Sequence, residues 1–270
     1  MLATVMLAPF VISKGRNQFA EITRHDAFLI LVSGVCLGFH FITWIQSLYY
    51  TSVASASTLL TGSPIFIAII GFVFLKERLT RVTTLAIVAA VGGAILIAFA
   101  EEPNAAINIV NPRLGNGLAT AAAFFVSLYM ILGRVLRKKL EWITYVFSIY
   151  LVAAATVAIV ALVIGTPLFG FSWKLYAIFA TMAIGPQILG HGSFNYALRY
   201  FTPAFLALLS LTEPIGGTVL AYWLFGEVPL PLAFLGMSII LVAIAVTVWH
   251  RSIISRADRI GNTQSSSIAE

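Results

Sequence analysis

Residues 53–81 read VASASTLLTGSPIFIAIIGFVFLKERLTR. Positions 53–75 carry no charge, and then Lys76, Glu77, Arg78 and Arg81 follow at once. A helix of about 20 apolar residues crosses the ~30 Å hydrocarbon core of a bilayer. The stretch therefore reads as a membrane-spanning helix with a proline, Pro64, at its centre and a basic end.

The rest of the chain follows the same rule. Of 270 residues, 60% are hydrophobic and 10% are charged, against about 25% charged in an ordinary globular domain. Mean hydropathy is +0.99. That excludes soluble enzymes and DNA-binding domains, and it gives the net charge of +6 a topological meaning rather than a nucleic-acid one. The single cysteine, Cys36, lies in an apolar run, so neither a disulfide framework nor a cysteine metal site is expected.

Eight segments meet the length test, at roughly 27–49, 53–75, 82–100, 116–133, 142–165, 175–198, 203–225 and 231–249. Met1 to about Ser13 is apolar but short. It reads as the second half of a helix, and no basic residue precedes it as in a signal peptide. The period-two alternation of barrel strands is missing. If every segment crosses, Lys14, Arg16, Arg24, Lys76, Arg78, Arg81, Arg134, Arg137, Lys138, Lys139, Arg199, Arg251, Arg256 and Arg259 share one side, leaving Arg113 and Lys174 opposite. The positive-inside rule makes the rich side cytoplasmic. The expectation is a multi-pass protein of the cell (inner) membrane with its C-terminus in the cytoplasm. The tail, 251–270, is expected to be cytoplasmic and polar, and irregular from about Ser255.

A shift of 150 residues matches the chain to itself. Leu48, Tyr50, Ala54, Leu59, Pro64, Ile65, Glu77 and Leu85 fall on Leu198, Tyr200, Ala204, Leu209, Pro214, Ile215, Glu227 and Leu235. In both halves a tyrosine-bearing turn leads to a helix with a central proline, then a glutamate, then a final apolar span. Glu77 stands in the basic run LKERLTR, on the cytoplasmic side. Glu227 stands in FGEVPLP, which has no basic residue and is expected outside. A five-helix repeat inverts its second copy. Inverted repeats mark secondary transporters, with the solute site near the midplane where the halves meet. The same shift places the partner of 142–165 at about −8 to 15 and that of 116–133 before Met1. Ten helices are therefore expected in the complete repeat pair, and about eight and a half to nine in this chain. The first repeat is assigned to 1–101 and the second to 115–250.

Two stretches carry a resemblance. YTSVASASTLLTGSPIFIAIIGFVFLKERLT resembles the end of an EamA repeat of the drug/metabolite transporter superfamily, and LSLTEPIGGTVLAYWLFGEVPL resembles the matching part of the second repeat. The resemblance covers about residues 1–250, with the opening helix of the first repeat lacking. It implies an all-α polytopic membrane fold of two inverted five-helix units, and transport of small metabolites, often export of amino acids or related compounds.

Polar groups at membrane depth are costly and face a cavity or another helix. Glu213, beside Pro214 near the middle of 203–225, could bind a solute amine or exchange a proton. Alternatively it hydrogen-bonds carbonyls freed by the proline. Gln187, His191 and Asn195 follow at i, i+4 and i+8 and share a helical face, among Gly185, Pro186, Gly190 and Gly192. They suit cavity lining or interhelical hydrogen bonds. In the first half, His40, Trp44 and Ser47 share a face, and His40 lies one residue out of register with His191. Packing is the other reading of Trp44. Ser127 and Tyr129 are further candidates. Glu77 and Glu227 read as structural or gating residues at helix ends, and Gly34 with Gly38 as a packing motif around Cys36.

The solute-binding candidates are thus His40, Trp44, Gln187, His191, Asn195 and Glu213. GNGLAT at 115–120 lacks the Walker lysine, GHGSF at 190–194 is not a nucleophile elbow, and no zinc spacing occurs. No cofactor, no metal and no enzymatic activity are expected. The partners are a small-molecule solute and the lipid bilayer, with no nucleic acid. The expected function is a secondary carrier working by alternating access; the other class left open is a non-transporting membrane scaffold or receptor subunit. The span interiors hold no Lys or Arg to bind a phosphate, which favours zwitterionic, neutral or cationic solutes.

Overall fold

The computed structural model describes residues 1–14, 16–76, 79–100, 111–226, 228 and 230–268. Glu77 and Glu227, read above as structural or gating residues, and Arg78, counted among the cytoplasmic-side cations, lie outside the described residues. Among those described, every regular element is a helix: α1 (Leu2–Lys14), α2 (Arg16–Phe19), α3 (Arg24–Tyr50), α4 (Val53–Leu60), α5 (Ser63–Leu75), α6 (Arg81–Ala100), α7 (Pro112–Arg137), α8 (Trp142–Val163), α9 (Trp173–Met182), a π-helical segment (Ala183–His191) running into α10 (Gly192–Ala197), α11 (Pro203–Ser210), α12 (Glu213–Phe225) and α13 (Pro231–Ile268).

All eight apolar segments are helical. Among the described residues, Arg24–Tyr50, Ser55–Leu75, Pro112–Arg137, Trp142–Val163, Pro203–Leu224 and Pro231–His250 are long and apolar enough to cross a membrane; Leu2–Ser13 and Arg81–Ile97 are shorter apolar helices. The fold is an all-α polytopic membrane protein.

The 150-residue repeat is visible in the element boundaries. Helices α4, α5 and α6 begin at 53, 63 and 81; α11, α12 and α13 begin at 203, 213 and 231. Each half therefore breaks its proline-bearing span in the same place. Pro64 and Pro214 have no N–H to give the carbonyl four residues back, so the ladder cannot continue. It tightens instead, with Gly62 N donating to Leu59 O (3.1 Å), Leu211 N to Leu208 O (3.2 Å) and Thr212 N to Leu209 O (3.0 Å). Glu213, expected near the middle of a span that Pro214 perturbs, is the first residue of α12.

The chain divides into two compact units that cut across the repeats. One holds α1 to α5, α7 to α10 and the start of α11; the other holds α6, the rest of α11, α12 and α13. In the first unit, α3 packs along α7 and α8. Gly34 and Gly38 make this possible: a Cβ on Gly34 would lie 2.5 Å from Val152 Cβ, and one on Gly38 2.8 Å from Thr156 Cβ. Cys36, between them, is buried and free. Thr23 caps α3 and shares a capping box with Asp26, and Asp26, itself buried, meets Lys139 Nζ at 2.8 Å. In the second unit, α6 crosses α13 with Gly93 and Gly236 face to face.

One expectation fails. The tail, expected to be irregular from about Ser255, continues α13 as helix to Ile268. Pro231 opens this helix, and no second proline follows to stop it.

Candidate functional site

Polar side chains gather in the first unit, where α3, α7, α8 and the π segment with α10 meet. Helix α7 is the post around which they are arranged. His40, on α3, is buried, and its Nδ1 lies 3.0 Å from the carbonyl oxygen of Ala122 on α7. A carbonyl only accepts, so Nδ1 carries the proton, and in the neutral ring Nε2 is left as an acceptor.

His191 closes the π segment. Its ring centroid is 6.4 Å from that of His40, 5.4 Å from Phe41 and 6.4 Å from Tyr129. It is half-buried, and its two ring nitrogens form no hydrogen bond among the described residues. One turn on, Asn195 is fully buried, and its Oδ1 accepts the hydroxyl of Tyr129 in a short hydrogen bond. Asn195 Nδ2 is buried without a partner among the described residues.

The π segment is where the chain gives way to build this face. Pro186 lies inside it, and the N–H it lacks loosens the α ladder into wider turns, a local distortion common at functional sites. Helix α8 compensates, with Tyr150 Oη donating to Gln187 O at 2.7 Å and Trp142 Nε1 to Gly192 O at 2.8 Å. Gln187 thus joins the cluster through its main-chain carbonyl rather than its amide.

The other candidates fare differently. Trp44 is half-buried one turn from His40 and makes no ring contact among the described residues. Ser47 hydrogen-bonds to Trp44 O on its own helix (2.7 Å). Ser127 Oγ reaches Ser63 O (3.2 Å) and Ala123 O (2.6 Å), tying α7 to the start of α5. Glu213 belongs to the second unit. It is exposed and makes no hydrogen bond or ion pair among the described residues, so the bond to freed carbonyls is not formed.

Sequence reasoning missed Arg137. It counted as a loop cation, yet the structure buries it to 1% exposure. Its Nε donates to Asn195 O at 2.9 Å and its Nη1 to Leu140 O. Arg134 Nη1 donates to Leu198 O (2.6 Å) and Arg199 O (2.8 Å). Cations at a helix C-terminus satisfy its orphan carbonyls and suit its dipole. Nothing in local sequence separates these arginines from Lys138 and Lys139 beside them.

An apolar groove of about 490 Å³ runs between α6 and α13, lined by Leu85, Ala86, Val242 and Val246 among others. Its walls are almost entirely hydrocarbon, so nothing there would orient a polar solute. The polar cluster in the first unit is the better candidate.

Membrane-length helices that repeat along the chain, break in mid-span and carry polar side chains in their interior define a class, the polytopic membrane transporter. Comparison with known proteins narrows it. The model of the EamA-like transporter family matches residues 1–99 and 113–249, and this chain belongs to that family. A relative from Clostridium kluyveri, described as an uncharacterized transporter, is 21% identical over 232 residues, which is 84% of this chain and 74% of the relative. A solved crystal structure superposes with a TM-score of 0.72 at 16% identity, over 90% of this chain and 83% of that one; at that identity the likeness is one of fold.

Proposed function

We propose that this EamA-like transporter is a secondary carrier that exports amino acids or related small metabolites by alternating access. It would act from the cell (inner) membrane, with its C-terminus in the cytoplasm, as repeats 1–101 and 115–250 followed by a cytoplasmic polar tail. It performs no catalytic step. The carrying observation is the pairing of the His40 and His191 rings at 6.4 Å, one residue from each repeat, with the nitrogens of His191 forming no hydrogen bond among the described residues. The His191 ring, and the Nε2 left over on His40 once Nδ1 holds α7, are available to a solute.

His40, His191 and Asn195 are assigned to the solute's polar groups, Trp44 and Gln187 to the adjoining wall, and Glu213 to an amine. One carboxylate and two histidines permit proton coupling without requiring it. The test uses proteoliposomes loaded with a mixed metabolite extract, the compounds released being identified by mass spectrometry with and without an imposed pH gradient. Selective release of one amine-bearing class, slowed by Glu213→Gln, is expected. Release no faster than from empty liposomes overturns the proposal.

A further inference from the structure

We propose that Asn195 acts on the solute as a hydrogen-bond donor, and that Tyr129 and Arg137 are the positioning residues that fix it in that role. The inference rests on the solute cluster proposed above and adds the sense of its central hydrogen bond.

A carboxamide has an accepting oxygen and a donating NH2. Which end faces the solute follows from Tyr129. Tyr129 is buried, at 2% exposure, and Asn195 is the acceptor its hydroxyl has. Turning the amide round would take Oδ1 from the Tyr129 hydroxyl and strand the phenol hydrogen against an NH2. The observed orientation leaves Nδ2 buried and without a hydrogen bond among the described residues, beside Tyr150, which gives its own hydroxyl hydrogen to Gln187 O. A buried donor without a partner carries its whole desolvation cost, and an acceptor on a solute would remove it.

The main chain of the same residue is held as firmly. Arg137 donates to Asn195 O at 2.9 Å and takes part in neither of the two ion pairs among the described residues. Its Nε and Nη1 go to the carbonyls of Asn195 and Leu140, so it acts through position. Tyr129 and Arg137 lie two turns apart on the one helix α7, which therefore grips Asn195 by its side chain and by its backbone. Arg134 extends the grip to Leu198 and Arg199. The solute group that meets Asn195 is then an acceptor: a carbonyl, a carboxylate oxygen or an unprotonated ring nitrogen. An ammonium group is turned away from this point.

The test uses the full chain in nanodiscs. In the absence of solute, Arg137→Gln is expected to speed amide hydrogen exchange over 195–200 by about tenfold, Arg137→Lys to recover much of that, and peptides from α8 and α13 to stay at the wild-type rate. No change at 195–200, or an equal rise along the whole chain, overturns the positioning role. In protein labelled with 15N-asparagine, adding the mixed metabolite extract is expected to shift the Asn195 side-chain NH2 signal, identified by its loss in Asn195→Leu, and Tyr129→Phe is expected to abolish the shift. An unmoved signal overturns the donor role. Metabolite release from wild-type liposomes without that shift would overturn this inference and leave the transport proposal standing; a shift without release would do the reverse.

Discussion

The rings of His40 and His191 lie 6.4 Å apart, one from the first repeat and one from the second. His40 is pinned through Nδ1 to the α7 backbone, whereas His191, among the described residues, makes ring contacts with Phe41, Tyr129 and His40 and no hydrogen bond. The two rings therefore differ in freedom. His191→Ala is expected to lower the initial rate of solute release by about tenfold, the loss of roughly 1.4 kcal/mol of contact, with the thermal midpoint close to wild type. His40→Ala should lower both, since it also removes a buried hydrogen bond worth about 1 kcal/mol. Parallel liposome flux and thermal unfolding in detergent would separate the two effects.

The α3–α8 contact sets a steric prediction. Gly34→Ala places a methyl 2.5 Å from Val152 Cβ, whereas Gly117→Ala meets nothing within 4 Å. Overpacking of this kind costs about 1–3 kcal/mol. Thermal unfolding should show a clear drop for Gly34→Ala and none for Gly117→Ala. Gly236→Ala should resemble the first, because its methyl would sit 2.8 Å from Ile97 Cγ1.

At the start of α3, two interactions meet on Asp26, and they are not equal. The ion pair with Lys139 involves an amine that is 55% exposed, and such pairs contribute about 0–1 kcal/mol. The capping box with Thr23 contributes about 1 kcal/mol by itself. Lys139→Met should therefore be nearly silent in an unfolding assay. Asp26→Ala should lose about 1–2 kcal/mol: it keeps the Thr23 Oγ1 cap on the residue-26 N–H but removes the carboxylate that accepts from Thr23 N and Oγ1, as well as the pair.

Glu213 opens α12, exposed and without a protein partner among the described residues. A residue placed like this has little to contribute to stability. Glu213→Gln is expected to leave the unfolding midpoint unchanged while slowing release of an amine-bearing solute. A large drop in the midpoint would return Glu213 to a structural role.

The spans could be read in advance because the bilayer imposes a length and a composition on each of them, and all eight segments are helices. A perturbed helix at Pro214 is legible from the proline itself; that each proline-bearing span divides in two, at 61–62 and at 211–212, is not. Whether a proline kinks a helix or ends it depends on how the turn before it closes, here with three-residue bonds from Gly62 N to Leu59 O and from Leu211 N to Leu208 O. Gln187, His191 and Asn195 were read as one face by α-helical spacing. The π winding keeps them in one region but brings Gln187 in through its carbonyl. Arg137 was illegible for a simpler reason: position next to other cations says "loop", and only the packing of α10 against α7 buries it. The helical continuation beyond His250 was likewise hidden, since a polar run without proline reads equally well as coil.

The most direct test is release of metabolites from proteoliposomes carrying wild-type protein, set beside protein with both His40→Ala and His191→Ala, each first shown to be folded. The account predicts selective release by the wild type, and release by the double variant indistinguishable from empty liposomes. A double variant that releases the same compounds at the wild-type rate would contradict it, because the solute would then be handled elsewhere in the molecule.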